Sequence, residues 1–197
     1  MLLRMRARLW VIVFAFLCIG ATPKGMAPLP SQYIKGHVFH SPDGWFTVET
    51  PAGDWEWFEM RQFDGDADPR WPDGAHPHVA WYIRNAASGE HFTLMETYDV
   101  LDGTIDQTFI AGIEIGTKRG LDKGETLTNF AIGPIRVPTD DSIRYAYKIT
   151  RKTGSVYRFA YVSGAQHKVY LQTTSDSPVE TKTYKRFVVS FRWVKQP

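Results

Sequence analysis

The sequence predicts an α+β domain in which an antiparallel sheet of six to seven strands is flanked by helices. Two hairpin patterns open the domain, four segments that alternate with period two fill its second half, and two segments carry helical periodicity. The predicted order is therefore hairpin, hairpin, helix, four strands and helix.

Both hairpins are predicted from their turns and from the residues on either side. In "FHSPDGWFTVETP", residues 39–51, Pro-Asp-Gly reverses the chain, while the flanking aromatic and β-branched residues favour strands. In "VAWYIRNAASGEHFTLMETYDV", residues 79–100, Ala-Ser-Gly provides the second turn. Trp81 on this hairpin is expected to lie in the core.

The first helix is predicted for "TIDQTFIAGIEIGTKRG", residues 104–120, where Ile105, Phe109 and Ile113 recur every four residues. Glycines at positions 112, 116 and 120 share this spacing. They predict a helix that lies close against a sheet, although each glycine costs about 1 kcal/mol in helix propensity.

Residues 125–175 return to period two. The segments "ETLTNFAIGPIRVP", "SIRYAYKITRK", "SVYRFAYVSG" and "KVYLQTTS" predict four antiparallel strands. Tyr145, Tyr147 and Ile149 share one face of the second of these strands and are expected to pack inward.

A C-terminal helix is predicted for "SPVETKTYKRFVVSFRWV", residues 177–194. Ser177 is the expected N-cap residue, Pro178 takes the first helical position, and Glu180 completes a capping box. An apolar stripe then follows at i, i+3, i+4 and i+7, formed by Tyr184, Phe187, Val188 and Phe191. This stripe is expected to dock on the sheet.

Residues 1–21 have the layout of a secretory signal peptide, in which three arginines precede a short apolar run. This run falls short of the about 20 residues that span a membrane. Cleavage is expected near Ala21, so the protein is expected to be periplasmic or secreted. A lipoprotein attached through Cys18 is less favoured, because Phe16 and Leu17 replace the small residues of a lipidation box. An uncleaved membrane anchor is the other less favoured alternative.

Charge and cysteine content limit the mature domain further. The chain has 23 basic and 21 acidic residues, and the leader contains three of the basic residues and no acidic one. The mature chain is therefore near neutral, at −1, and lacks the positive charge that nucleic acid binding requires. Cys18 is the sole cysteine, so the mature chain forms no internal disulfide. After a flexible lead-in at residues 22–32, residues 33–197 are expected to form one domain without a membrane span.

The opening hairpin, the central helix before four strands and the closing "YKRFVVSFRW" resemble the PsbP-like domain, which many exported bacterial proteins share. The matching positions are Phe39, Phe46, Val48, Pro51, Ser190 and Phe191. The resemblance covers roughly residues 33–194 and consists of apolar positions rather than a sharp motif. It implies a PsbP-like α/β/α sandwich and a non-enzymatic binding or assembly role, and it carries over no catalytic residue.

The loop at residues 63–78 carries an acidic candidate site. Asp64, Asp66 and Asp68 begin "DGDADPRWPDGA" as the ligands of a calcium loop would. Pro69 replaces the glycine that such a loop needs at its sixth position, and Ala75 offers no carboxylate at the twelfth. A solvated acidic loop is therefore favoured over a calcium site.

Histidines next to this loop are candidate ligands of a divalent metal ion. His76 and His78 lie two residues apart at the start of a strand and would face the same side. They would share a metal such as zinc or copper, with His91 or Asp73 as the third ligand. Two solvent-exposed histidines are the favoured alternative, because the sequence does not identify the third ligand.

The same loop carries the aromatic candidate. Trp71 lies between two prolines and is the aromatic residue expected to be exposed, and exposed rings bind sugars or peptides. The loop has 16 residues without a secondary-structure signal, and structureless loops beyond about 12 to 15 residues are uncommon. Trp71 and the three aspartates are therefore expected to bind a partner or ligand.

The sequence thus predicts an exported, non-catalytic binding or assembly module of the bacterial cell envelope, which engages an envelope protein or a small ligand. It contains no nucleophile elbow and no glycine-rich phosphate loop. The alternative function is a metal-assisted hydrolase that uses the Asp and His residues of residues 63–78.

Overall fold

The computed structural model describes residues 26–60, 79–98, 107–119, 121–133, 142–164 and 167–195. His91 is the candidate site residue that lies within these ranges. The other candidates lie outside the described residues: Asp64, Asp66, Asp68, Trp71, Asp73, His76 and His78.

The elements follow one another in a strand-rich order. They are β1 (Met26–Pro28), a 3-10 turn (Ser31–Tyr33), β2 (Ile34–Lys35), β3 (Val38–His40), β4 (Phe46–Glu49), β5 (Trp55–Met60), β6 (Val79–Asn85), β7 (His91–Tyr98), α1 (Gln107–Arg119), β8 (Thr126–Gly133), β9 (Ser142–Arg151), β10 (Gly154–Gly164), β11 (His167–Ser175), α2 (Lys182–Ser190) and β12 (Arg192–Trp193). Residues 26–32, assigned to the lead-in by sequence, hold β1 and most of the 3-10 turn.

The α+β prediction is wrong, because strands make up 55% and helices 17% of the described part of the chain. This part contains an eight-stranded antiparallel sheet and a second sheet of four strands, instead of one sheet of six to seven strands flanked by helices. The α/β/α sandwich that the PsbP-like resemblance implies is therefore not observed. The second sheet consists of strands of only two to four residues, which are too short to show a period in the sequence.

The large sheet has the order β1-β5-β6-β7-β11-β10-β9-β8. The hairpin of β6 with β7 and the run of four antiparallel strands from β8 to β11 are confirmed. These two parts of the chain meet where β11 pairs with β7, with Leu171 opposite Leu94.

The second sheet has the order β12-β4-β3-β2 and is built on the first predicted hairpin, which is confirmed. The Ser41 hydroxyl accepts hydrogen bonds from the amides of Trp45 and Phe46, at 2.8 and 3.1 Å, which closes the turn. Gly44 in this turn has a φ of 69°, a value that glycine adopts without strain.

One face of the large sheet packs against the second sheet and α2. Because side chains alternate along a strand, each strand presents every second residue to this core. The second sheet contributes Phe39, Phe46 and Val48, and α2 with its following residue contributes Tyr184, Phe187, Val188 and Phe191. Trp81 of the large sheet is fully buried among them, as predicted.

The opposite face of the large sheet forms a separate core with α1. Tyr145, Tyr147 and Ile149 point into it, as predicted, together with Ile113 from the helix. The prediction of a close helix contact is wrong at Gly112, because a Cβ atom built there would have no neighbour within 4 Å. Neither described helix is long and apolar enough to cross a membrane.

The start of α2 differs from the predicted capping box. Thr181 is the N-cap residue, and its hydroxyl accepts a hydrogen bond from the Tyr184 amide at 3.0 Å. Ser177 instead makes a local turn by accepting from the amide of Val179 at 3.2 Å. Glu180 is buried in an ion pair with Arg144, which holds the chain before Thr181 against the sheet and outside the helix.

Two buried tyrosines predict how stability depends on alkaline pH. Burial raises the pKa of Tyr145 well above its usual range; the phenols of Tyr147 and Tyr170 raise it further, while Arg158 lowers it. Burial likewise raises the pKa of Tyr184. The unfolded chain releases these protons near pH 10, whereas the folded protein keeps them. Above this pH the unfolded state therefore binds fewer protons, and the free energy of unfolding falls as pH rises.

We therefore predict that the urea midpoint is nearly constant up to about pH 9 and declines above about pH 10. The Tyr145→Phe variant lacks one of the two buried phenols with a raised pKa, so its urea midpoint is expected to decline less steeply with pH. Urea titrations from pH 8 to 11 measure both slopes. A decline that is equally steep in the variant would contradict the role of Tyr145.

Candidate functional site

A groove of about 880 Å³ lies between the second sheet, the loop before β5 and helix α2. Its floor is apolar and is formed by Leu29, Ile34, Trp55, Trp57 and Phe187. Hydroxyl-bearing and charged residues surround this floor.

Two tryptophans of β5 form the centre of the floor. Trp57 is almost fully buried and stacks on Phe39, with the ring centroids 4.5 Å apart. Trp55 stacks on Phe92 with a centroid distance of 4.9 Å, but it is only half-buried and lines the groove. Trp55 is therefore a fixed aromatic ring that a bound molecule can contact.

The loop at residues 50–54 forms one wall and is held by hydrogen bonds of Thr50. The amide of Thr50 donates a hydrogen bond to the carbonyl of His37 at 2.6 Å. The Thr50 hydroxyl accepts a hydrogen bond from Trp57 Nε1 at 3.0 Å. Gly53 has a φ of 107°, so a side chain at this position would strain the backbone. The loop is therefore a structured wall whose shape depends on a glycine.

Helix α2 forms the opposite wall. Thr183, Arg186, Phe187 and Ser190 line the groove at i, i+3, i+4 and i+7, so they share one face of the helix. The Ser190 hydroxyl donates to the Phe187 carbonyl at 2.7 Å and accepts from the Glu49 amide at 3.0 Å. This pair of bonds ties the helix to β4.

Ionisable residues lie at the rim of the groove. His37, Glu49 and Arg186 are all exposed there. Within the ranges that the structure describes, the Arg186 guanidinium makes no hydrogen bond or ion pair. A positive charge beside an apolar floor therefore stays available to a bound molecule.

Two of the described hydroxyls that line the groove serve structural hydrogen bonds rather than nucleophilic attack. The Ser190 hydroxyl is committed to two backbone groups, and the Thr50 hydroxyl is bonded to Trp57. Nucleophilic catalysis would require a hydroxyl within hydrogen-bond reach of a base. His37 makes no such bond with a described hydroxyl.

His91 is the proposed metal ligand that the structure describes. Its Nδ1 lies 3.4 Å from the Gly89 carbonyl oxygen, and its ring packs at 5.5 Å from Tyr82. Arg84 is its cross-strand neighbour. In the part of the chain that the structure describes, no three His, Cys, Asp or Glu side chains are placed to hold a metal ion. The other ligands lie outside this part, so the metal site stays a prediction.

A second polar cluster is buried between the large sheet and β12, and sequence reasoning missed it. His167 Nε2 lies 2.6 Å from Glu96 Oε1, and both side chains are almost fully buried. The rings of Trp45 and Trp193 pack against His167 at 4.5 and 5.2 Å, and Trp193 Nε1 donates to the Ser163 hydroxyl at 2.9 Å. These aromatic rings and the burial leave the cluster in the interior of the protein rather than in a cleft.

Strand alternation is the signal that would have found this cluster. Glu96 continues the inward series of Phe92 and Leu94 along β7, and His167 precedes inward-facing Val169 on β11. A polar residue in each of two inward series predicts a buried pair once the two strands are known to be neighbours. The pairing of β7 with β11 could not be read from the sequence.

The comparisons with known proteins identify no family. No family model matches the chain, and no curated protein matches it. The chain is similar to a crystal structure of a protein from Bacteroides thetaiotaomicron VPI-5482, with 13% sequence identity and a TM-score of 0.47. The alignment covers 81% of this chain and 49% of that one, so the chain spans about half of that protein's length. A similarity of this strength carries no argument about fold or function.

The buried Glu96–His167 pair predicts a large loss of stability when one partner is removed. Glu96→Ala removes the carboxylate that His167 contacts in the interior, and a buried polar group that loses a hydrogen-bond partner destabilises a protein by about 1 to 3 kcal/mol. Glu56→Ala is the matched control, because Glu56 pairs with Arg84 at 2.8 Å on the surface. We expect the control to lose less than about 1 kcal/mol. Urea denaturation at pH 7 measures both losses, and equal losses would contradict a structural role of the buried pair.

Proposed function

We propose that this protein is an exported, non-catalytic binding module of the bacterial cell envelope, whose ligand or protein partner occupies the groove beside α2. The observation that carries this proposal is the apolar floor, which includes the half-buried ring of Trp55 and lies inside a polar rim. Ligand sites in proteins are mostly apolar, with a few polar groups that orient the ligand. The export of the protein rests on the leader sequence alone.

The walls of the groove support binding without rearrangement. The Ser190 hydroxyl connects α2 to the amide of Glu49, and the amide of Thr50 connects the loop to the carbonyl of His37. A preformed site binds more tightly than one that must first be ordered, because less conformational entropy is lost. The commitment of the Ser190 and Thr50 hydroxyls to structural hydrogen bonds favours binding over catalysis.

The groove adds a site to the one predicted from the sequence. The loop at residues 63–78, with Trp71 and its aspartates, lies outside the described residues, so its role in binding stays a prediction. Membership of the PsbP-like family also stays a prediction.

Fluorine spectroscopy of the mature chain, residues 22–197, tests the proposal. The protein is labelled with 5-fluorotryptophan, and the resonance of Trp55 is assigned by its loss in Trp55→Phe. We expect this resonance to shift, and the shift to saturate, with at least one of three probes: indole, methyl glucoside or an apolar tripeptide. The resonance of Trp193, which does not line the groove, is expected to stay unchanged. Probes that shift neither Trp55 nor Trp57 would contradict the proposed site.

A matched pair of variants locates the response on the helix. Thr183→Phe fills the groove from α2 and is expected to abolish the response of Trp55 to every probe. Lys185→Phe places the same side chain at an exposed position that does not line the groove, and is expected to preserve it. An undiminished response in Thr183→Phe would place the probes elsewhere.

A further inference from the structure

We propose that the groove recognises a monocarboxylate with a flat apolar body, which stacks on Trp55 and pairs with Arg186. This inference rests on the proposed function of the groove and names the class of its ligand. The same chemistry has two sources, a free aryl carboxylic acid and the C-terminus of a peptide that ends in an aromatic residue.

The carboxylate is inferred from Arg186. Its guanidinium is exposed at the rim, and it makes no hydrogen bond or ion pair with the rest of the described chain. A guanidinium presents a planar fork of donors that fits the two oxygens of a carboxylate. Thr183, three residues earlier on the same helix face, adds a hydroxyl beside this fork.

A single negative charge is inferred from Glu49. Its amide is bonded to the Ser190 hydroxyl, one helical turn from Arg186, so its carboxylate belongs to the same end of the groove. Glu49 is not joined to Arg186 by an ion pair, so it leaves the guanidinium free to bind a ligand. It also repels additional negative charge, which disfavours phosphates and dicarboxylates.

The flat apolar body is inferred from the rings of the floor. Trp55 and Phe187 both contact Phe92, at centroid distances of 4.9 and 4.8 Å. Trp55 lines the groove from β5 and Arg186 lines it from α2, so the stacking ring and the guanidinium belong to different parts of its lining. A ligand that spans the groove from β5 to α2 would contact both, with its ring on Trp55 and its carboxylate on Arg186.

An aromatic body fits the groove better than a sugar acid does. A sugar needs many hydrogen-bond partners for its hydroxyls, and four of the polar side chains that line the groove are already bonded within the protein. Trp55 Nε1 donates to the Ala52 carbonyl at 3.2 Å, and Trp57 Nε1 donates to the Thr50 hydroxyl. The Ser190 hydroxyl is likewise bonded on both sides. Offset stacking of aromatic rings requires none of these groups.

Calorimetric titration of the mature chain with matched small probes tests the ligand class. The probes are 3-phenylpropionate, its uncharged amide and glucuronate. We expect the acid to bind at least about tenfold more tightly than the amide, because a hydrogen bond to a charged group contributes about 1.5 kcal/mol or more. Glucuronate is expected not to compete with the acid.

Arg186→Gln is expected to weaken binding of the acid about tenfold and to leave binding of the amide unchanged. Lys185→Gln removes a positive charge from the adjacent position outside the groove, and is expected to preserve the preference for the acid. This control distinguishes a specific contact between Arg186 and the carboxylate from the general electrostatic effect of positive charge on the helix. Equal affinity for acid and amide, or an unchanged preference in Arg186→Gln, would overturn the proposal.

Tripeptides that end in phenylalanine, with either a free carboxylate or a terminal amide, distinguish the two sources. A preference for the free peptide carboxylate that disappears in Arg186→Gln assigns the site to a protein C-terminus. Binding of 3-phenylpropionate without binding of the peptide assigns it to a small acid, and both results support the proposal. Tight binding of glucuronate would contradict the inference that the ligand has an apolar body.

The failure of this inference differs from the failure of the proposed function. If neutral probes shift the Trp55 resonance while Arg186→Gln changes nothing, the groove is a binding site for a ligand without a carboxylate. If none of the acids, amides, sugars or peptides perturbs Trp55, both the ligand class and the groove function are wrong.

Discussion

The stacking of Phe39 on Trp57 joins the two sheets, and the groove depends on it. Phe39 belongs to the second sheet, and its ring also lies 5.2 Å from that of Trp81 in the large sheet. The second sheet alone has strands of at most four residues, which is too little to be stable on its own. It persists because its aromatic side chains are buried against the large sheet and α2.

This shared core determines what the groove is made of. Trp57 contributes to the core with one part of its ring and to the groove floor with another, and Phe187 of α2 does the same. The walls cannot move apart without exposing these rings to water, which costs about 1.5 to 3 kcal/mol for each large apolar side chain. The same packing therefore accounts for both stability and a preformed site.

The buried pair of Glu96 and His167 shows why residue types alone do not identify a site. A histidine, a carboxylate and a serine gather there, yet Trp45 and Trp193 enclose them, and the Ser163 hydroxyl is bonded to Trp193. The groove has the opposite character, since its charged residues are exposed above an apolar floor. Accessibility thus separates the candidate site from the structural cluster.

The sequence predicted the elements whose partners are close along the chain. Both hairpins, the four later strands and the apolar stripe of α2 are each determined by turn residues or by a clear period. The second sheet could not be predicted, because Arg192 and Trp193 pair with Thr47 and Phe46 from the opposite end of the domain. Two-residue strands have no period, so only tertiary packing selects their partners.

The candidate site was predictable only in part, for the same reason. Trp55 and Trp57 lie two residues apart in the sequence, and this spacing does not show which of the two rings lines a surface. The groove combines the 3-10 turn, three short segments and α2, so its shape exists only in the folded chain. Arg186 carries no sequence signal, because an exposed arginine on an amphipathic helix is ordinary.

Native-state hydrogen exchange tests most directly whether one core holds both sheets and the groove between them. We predict that the amides of β3, β4 and α2 exchange by the same global opening, with the same free energy, as those of β10 and β11. Exchange of β3, β4 and α2 through a separate opening of markedly lower free energy would contradict this, because the groove walls would then open independently of the large sheet.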